Sequence, residues 1–127
     1  MFRCVLATLA LAALAAPPAA AQLPRSFTAA ALRGELVIQQ PPEVLLNGRP
    51  ARLAPGVRIK GPDNLLQMSA SLVGARLVVN YTFDSYGLVH DVWILGERER
   101  AVEPWPRTPK QAQAWSFDPF SQTWSKP

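Results

Sequence analysis

The sequence predicts an all-β fold, a small antiparallel barrel or a sandwich, with a short N-terminal helix and a Pro/Trp-rich C-terminal tail. Three observations carry this expectation. Asn47-Gly48 separates two apolar runs, as in a tight β-hairpin. Residues 76–94 alternate apolar with polar side chains around an Asp84-Ser85-Tyr86-Gly87 loop. Across the middle of the chain, roughly five to seven short strand-like runs are divided by Gly, Pro, Asn and Asp, the spacing of small all-β domains.

The chain opens with MFRCVLATLALAALAAPPAAAQ: one arginine, an uncharged stretch from Cys4 to Ala16, two prolines and an alanine triplet. This is the pattern of a secretory signal peptide over residues 1–21, cleaved before Gln22. A bilayer span takes about 20 apolar residues, more than this stretch supplies, so no transmembrane span is expected after cleavage. The expected location is periplasmic or secreted. Cys4 is the only cysteine and precedes the apolar stretch, so no lipid anchor is expected. A mature chain without a thiol excludes disulfides and cysteine-based redox, metal or nucleophile chemistry. Cleavage leaves 106 of 127 residues, enough for one domain with its own core. The net charge is +4, and without Arg3 twelve basic residues face nine acidic ones. That excess is too weak to predict a nucleic-acid partner.

The expected division is a lead segment over 22–33, a β domain over 34–96 and a tail over 97–127. In the lead, Ser26 or Thr28 caps one or two helical turns through Ala29–Arg33, ended by Gly34. Leu36-Val37-Ile38 then forms a strand that stops at Pro41-Pro42. Pairing outward from Asn47-Gly48 sets Leu46 opposite Arg49, Leu45 opposite Pro50, Val44 opposite Ala51 and Glu43 opposite Arg52. Pro50 lacks a donor and sits where N–H groups point away from the hairpin partner, so the second strand is an edge there. Glu43 and Arg52 form a cross-strand pair, and Arg49 stays unpaired beside the turn. Val57–Lys60 alternates apolar with basic residues as a half-buried strand. Leu65–Ser71 fits a short strand or helical spacing.

In the next hairpin, Phe83 faces Leu88, Tyr81 faces His90, Val79 faces Val92 and Leu77 faces Ile94, giving one apolar face and one mixed face. From Glu97 the composition changes. Glu97-Arg98-Glu99-Arg100 reads as a solvated charge run, Thr108-Pro109-Lys110-Gln111 as a capped helix start reaching about Trp115, and Asp118-Pro119 as a turn. Trp105, Trp115 and Trp124 make the tail too apolar to be purely solvating, so it docks on its own domain or on a partner.

The order Gly34-Glu35-Leu36-Val37-Ile38, Val44-Leu45-Leu46-Asn47-Gly48, Ser71–Val79, Gly87-Leu88 and Val92-Trp93-Ile94 resembles the OB-like barrels of exported bacterial proteins of unknown function. The whole chain is also similar to uncharacterised secreted proteobacterial proteins. The resemblance covers residues 34–95 and implies a fold and an envelope location, with no catalytic residue carried over.

His90 is the only histidine. Strand neighbours point to opposite faces, so His90 and Asp91 are not expected to close on one metal ion, and a buried histidine near Tyr81 is expected. The same geometry argues against a Ser85–His90–Asp91 triad. Glu43, Asp63, Asp84 and Asp91 read as hairpin and turn residues rather than as a glycosidase pair. No phosphate loop, nucleophile elbow or zinc-protease helix occurs, and no metal or cofactor is expected.

The better candidate is a basic face of Arg49, Arg58, Lys60 and Arg76 with Trp93 or Trp105 as aromatic partner. The expected function is a non-catalytic binding or structural domain of the cell envelope that engages an envelope protein. The alternatives are a binder of a small ligand or anionic polymer through the basic face, and an enzyme of unrecognised type.

Overall fold

The computed structural model describes residues 24–127, and the expected signal peptide and its cleavage site lie outside the described residues. Eight strands form in chain order: β1 Leu32–Gln40, β2 Glu43–Leu46, β3 Arg49–Lys60, β4 Leu66–Gln67, β5 Arg76–Phe83, β6 Val89–Ile94, β7 Ser116–Asp118 and β8 Thr123–Ser125. A 3₁₀ turn spans Ser69–Leu72, and two short helices, α1 Glu97–Arg100 and α2 Pro109–Ala114, precede the β7–β8 hairpin.

The main sheet runs β2-β1-β5-β6-β3-β4, and a further β2–β3 pairing closes β1, β2, β3, β6 and β5 into a hydrogen-bonded ring. The wholly antiparallel arrangement expected from sequence is not what forms: β3 and β6 are parallel. Five strands cannot alternate direction all the way round a closed ring, so one pairing has to be parallel. Strand alternation then points Leu32, Leu36 and Ile38 of β1, Val44 and Leu46 of β2, Ile59 of β3, and Val79 and Tyr81 of β5 into one buried interior.

The β2–β3 hairpin has the expected register, Leu46↔Arg49, Leu45↔Pro50, Val44↔Ala51 and Glu43↔Arg52. Asn47 and Gly48 both take positive φ, 53° and 78°. The side-chain Oδ1 of Asn47 accepts from Glu35 N at 2.9 Å, which anchors the turn to β1. A Cβ on Gly34 would lie 2.9 Å from that amide, so Gly34 leaves space for Asn47 from inside β1 instead of ending a helix. β3 meets β6 only from Leu53 onward, beyond Pro50. Glu43 and Arg52 are register partners, yet the ion pairs among the described residues join Arg25, Arg58, Arg76 and His90 to acids and leave Arg52 out.

The N-terminal helix does not form. Ala31 N–H reaches Thr28 C=O at 3.1 Å, a single turn, and Leu32 and Arg33 already pair with Tyr81 and Asn80 of β5. A few residues of helix cannot offset a costly nucleus when the same backbone can join a sheet ladder. The β5–β6 register also differs from expectation: Val79 faces Ile94, Tyr81 faces Val92, and Thr82 faces Asp91, with a bulge between Thr82 and Phe83. The extra residue buries both Val89 and Val92, three positions apart, and shifts His90 out of the ladder.

A second apolar cluster lies outside the ring. The lead contributes Phe27 and Ala31, β6 is followed by Leu95, and the tail adds Trp105 and Trp124, all buried. Trp105 packs edge-on to Phe27 at 5.8 Å and to Trp124 at 6.1 Å, and its indole Nε1–H donates to Ala31 C=O at 2.9 Å. The tail therefore docks on its own domain. α2 begins at the Thr108 cap, whose Oγ1 accepts from Gln111 N at 3.2 Å, with Pro109 at its start. No helix among the described residues is long and apolar enough to cross a membrane.

Candidate functional site

Two arginines hold the lead and tail against the ring. Arg33 points outward from β1 but is 6% exposed, covered by the tail. Its guanidinium donates to Asn80 Oδ1 at 3.2 Å, Val102 C=O at 2.5 Å and Glu99 C=O at 3.1 Å, and it lies 4.9 Å from the Trp105 ring centroid. Burial pushes its pKa down to about 10, with the Glu103 carboxylate opposing the shift. Arg25 grips Glu99 through two bonds, 2.9 and 2.6 Å, and also donates to Gly61 C=O at 2.8 Å and Ile94 C=O at 2.7 Å. Glu99 therefore does not belong to a solvated charge run; its carboxylate is drawn into α1's junction with the lead.

The predicted basic face divides. Parallel pairing of β3 with β6 sets Lys60 beside Trp93 and Arg58 beside Asp91. Arg58 Nε lies 3.4 Å from Asp91 Oδ1, and Arg76 Nε lies 4.0 Å from Glu35, both on exposed surface where such pairs contribute about 0–1 kcal/mol. Arg76 pairs in register with Val37 on β1, and Arg49 stands exposed at the β2–β3 turn, so neither joins Lys60 and Trp93. Trp105 is 6% exposed and is committed to the outer layer, which removes it as a ligand platform.

His90 departs from the expectation of a buried side chain near Tyr81. It is 38% exposed, and its Nδ1 lies 3.1 Å from Asp91 Oδ2. The bulge brings the two neighbours together, where regular alternation would have separated them. Asp91 Oδ2 also accepts from Thr82 Oγ1 at 3.3 Å. No group of three or more His, Cys, Asp and Glu side chains able to hold a metal occurs among the described residues. Tyr81 sits in the interior, where burial pushes its phenol above the ordinary value, against the opposing charge of Arg107.

Lys60 and Trp93 open onto a cleft of about 550 Å³, walled by Pro24, Arg25 and Ser26 of the lead and by Pro62, Asp63 and Asn64 of the turn after β3. The turn is fixed in several places. Asn64 N–H bonds Gly61 C=O at 2.8 Å, Gly61 N–H bonds Leu65 C=O at 2.9 Å, and Asp63 Oδ1 accepts from Leu65 N at 3.1 Å. Arg25 ties the same turn to β6 and α1 through Gly61 and Ile94. Among the described residues Lys60 enters no ion pair, so its ammonium is the uncommitted cation of the cleft. A second hollow of about 600 Å³ lies between the lead and the last hairpin, lined by Phe27, Trp115, Phe117 and Trp124.

Lys60 and Trp93 are the two cleft residues that the sequence offers as binding candidates; Asp63 reads there as a turn residue, Ser26 as a helix cap, and Arg25 carries no signal. The neighbourhood depends on the parallel β3–β6 pairing and on the fold-back of the lead, neither of which has a local signature. The chain matches no known protein family, curated protein or solved structure at a significant level.

Proposed function

We propose that this chain is a non-catalytic binding domain of the bacterial cell envelope, built on an OB-like barrel, and that its ligand site is the Lys60–Trp93 cleft. The ring order β1-β2-β3-β6-β5 with one parallel closing pair supports the OB-like reading. The signal-type sequence before Gln22 supports the location. The cleft carries the functional reading: a free cation and an indole stand side by side on a preorganised wall, the arrangement that small-ligand sites use to orient a bound group. Burial of Trp105 and Trp124 removes these two tail tryptophans from the set of partner contacts and moves the weight from the tail to the cleft.

The reading is tested by following tryptophan emission while the protein is titrated with neutral oligosaccharides, polygalacturonate and dextran sulfate. A saturable change in the native protein is the expected result, with calorimetry showing the same binding lost in Lys60→Ser/Trp93→Leu. No change with any of these ligands contradicts it. Turnover of a substrate that is lost in His90→Ala would overturn the non-catalytic part, because His90 and Asp91 form the one histidine–carboxylate contact among the described residues, although neither lines the cleft.

A second reading, docking of an envelope protein, is favoured by one observation. Leu65, Leu66, Met68 and Val73 are 50–76% exposed on and beside β4, the terminal strand of the sheet, whose outer backbone edge is open to an added strand. A photo-crosslinker at Leu66 should give a discrete adduct in the envelope that one at Tyr86 does not. Equal labelling from both positions contradicts it.

A further inference from the structure

We infer that the Lys60–Trp93 cleft takes a saccharide without net charge rather than an anionic polymer; the inference rests on the ligand-binding reading above. The charges lining the cleft carry it. Arg25 is spent, its guanidinium held by the Glu99 carboxylate and two backbone carbonyls. That leaves Lys60 as a single available cation and the Asp63 carboxylate as a facing anion, with one Asp63 oxygen engaged by Leu65 N–H. A polyanion gains attraction from Lys60 but meets repulsion from Asp63, so like charge in the wall selects against it. The remaining groups are a hydroxyl on Ser26, an amide on Asn64 and the indole of Trp93. Together they offer donors and acceptors around one aromatic ring, which suits a ring molecule with an apolar C–H face and hydroxyls at its edge.

The cleft is also held in shape before any ligand arrives. Phe27 meets the Trp93 ring nearly perpendicular, at 77° and 5.5 Å, and fixes the indole at the wall. Arg25 clamps the Gly61 carbonyl, and the Asp63–Leu65 bond sets the turn that presents Asp63 and Asn64. Little ordering cost is left to oppose binding. A volume of about 550 Å³ lies within the range of small-molecule clefts and is short for an extended polymer.

The discriminating variant is Asp63→Asn, since an amide oxygen can still accept from Leu65 N and keep the turn while the negative charge is lost. Chitotetraose, cellotetraose and maltotetraose are titrated as neutral probes and dextran sulfate as the polyanion, reading the Trp93 indole signal by NMR where Trp93 is present and the affinity of every variant by calorimetry. At least one neutral tetraose should shift that signal saturably, at low and high salt alike. Its affinity should fall about tenfold in Trp93→Leu, which loses the aromatic platform, and about tenfold in Asp63→Asn, which loses a charged acceptor. Far-UV circular dichroism checks that both variants fold.

Three results would overturn the inference. Binding of dextran sulfate alone, tightened by Asp63→Asn and abolished by salt, would refute the saccharide while leaving the cleft as a binding site. Neutral-sugar binding unaffected by either variant would place the site elsewhere. A Trp93 signal unmoved by every probe would remove both the saccharide and the cleft.

Discussion

The interior of the ring and the layer outside it bury apolar surface by different chemistry. The interior is almost wholly aliphatic, with Leu32, Leu36, Ile38, Val44, Ile59, Val79 and Val92 around a single Tyr81. The outer layer is aromatic, with Phe27, Trp105 and Trp124, and it is threaded by the guanidinium groups of Arg25 and Arg33. Aliphatic side chains on alternating strand positions need only a closed ring to bury them. The outer layer joins segments about seventy or more residues apart in sequence, such as Arg25 with Glu99 and Trp105 with Ala31. The interior makes the ring, and the outer layer fixes the lead and the turn that form the cleft.

The largest effect should come from cutting the outer layer at its hub. Trp105→Ala removes a buried indole that touches Phe27, Phe117 and Trp124, and is expected to cost about 3–5 kcal/mol. Urea denaturation measures it, and the lead and tail should become protease-sensitive. Leu36→Ala empties a fully buried interior position and should cost about 2–5 kcal/mol, with the lead and tail lost only together with the ring. If both variants release the tail at the same denaturant concentration as the ring, the two layers are one cooperative unit and the contrast drawn here fails.

Glu99→Gln acts on the polar part of the outer layer. It leaves the Arg25 guanidinium buried without its carboxylate and should cost about 2–3 kcal/mol, with ligand affinity at the cleft falling because the Gly61 turn loosens. Stability lost without any change in affinity would separate the clamp from the cleft.

The smallest effect is expected at Asp118. The Ser121 hydroxyl and the Phe120 N–H hold its carboxyl below the ordinary value of 3.8. Because the folded pKa is the lower one, the stabilisation is present above the ordinary value and is lost as pH falls through the folded value. Asp118→Asn should therefore narrow the stability difference between neutral and strongly acid pH, read by thermal melts across that range. An unchanged profile would show that the last turn contributes nothing to the outer layer.

The β2–β3 hairpin was legible in the sequence because Asn47-Gly48 needs positive φ at both positions and so fixes every pair outward to Glu43–Arg52. The β5–β6 hairpin was legible as a hairpin but not in register. Its alternation concealed the bulge, and a two-residue shift keeps Val79, Tyr81 and Val92 facing inward. The Ala29–Arg33 helix was misread because local propensity was outweighed by pairing with β5, a partner more than forty residues away. Of the candidate site, Lys60 and Trp93 were named from composition and strand alternation, whereas their adjacency required a parallel pairing between strands far apart in sequence. Arg25 and Glu99 gave no signal, since a lone arginine in a lead and a glutamate in a charge run look solvated until the fold brings them together.

Hydrogen exchange at the indole N–H groups of Trp93, Trp105 and Trp124 tests the central claim most directly, that Trp105 and Trp124 belong to the fold while Trp93 faces the ligand. Trp105, bonded to Ala31, and Trp124, whose Nε1 is buried, should be protected to near the global unfolding free energy, while Trp93 exchanges rapidly and slows when a neutral oligosaccharide is added. Rapid exchange at Trp105 and Trp124 alongside a Trp93 that no ligand protects would contradict the account.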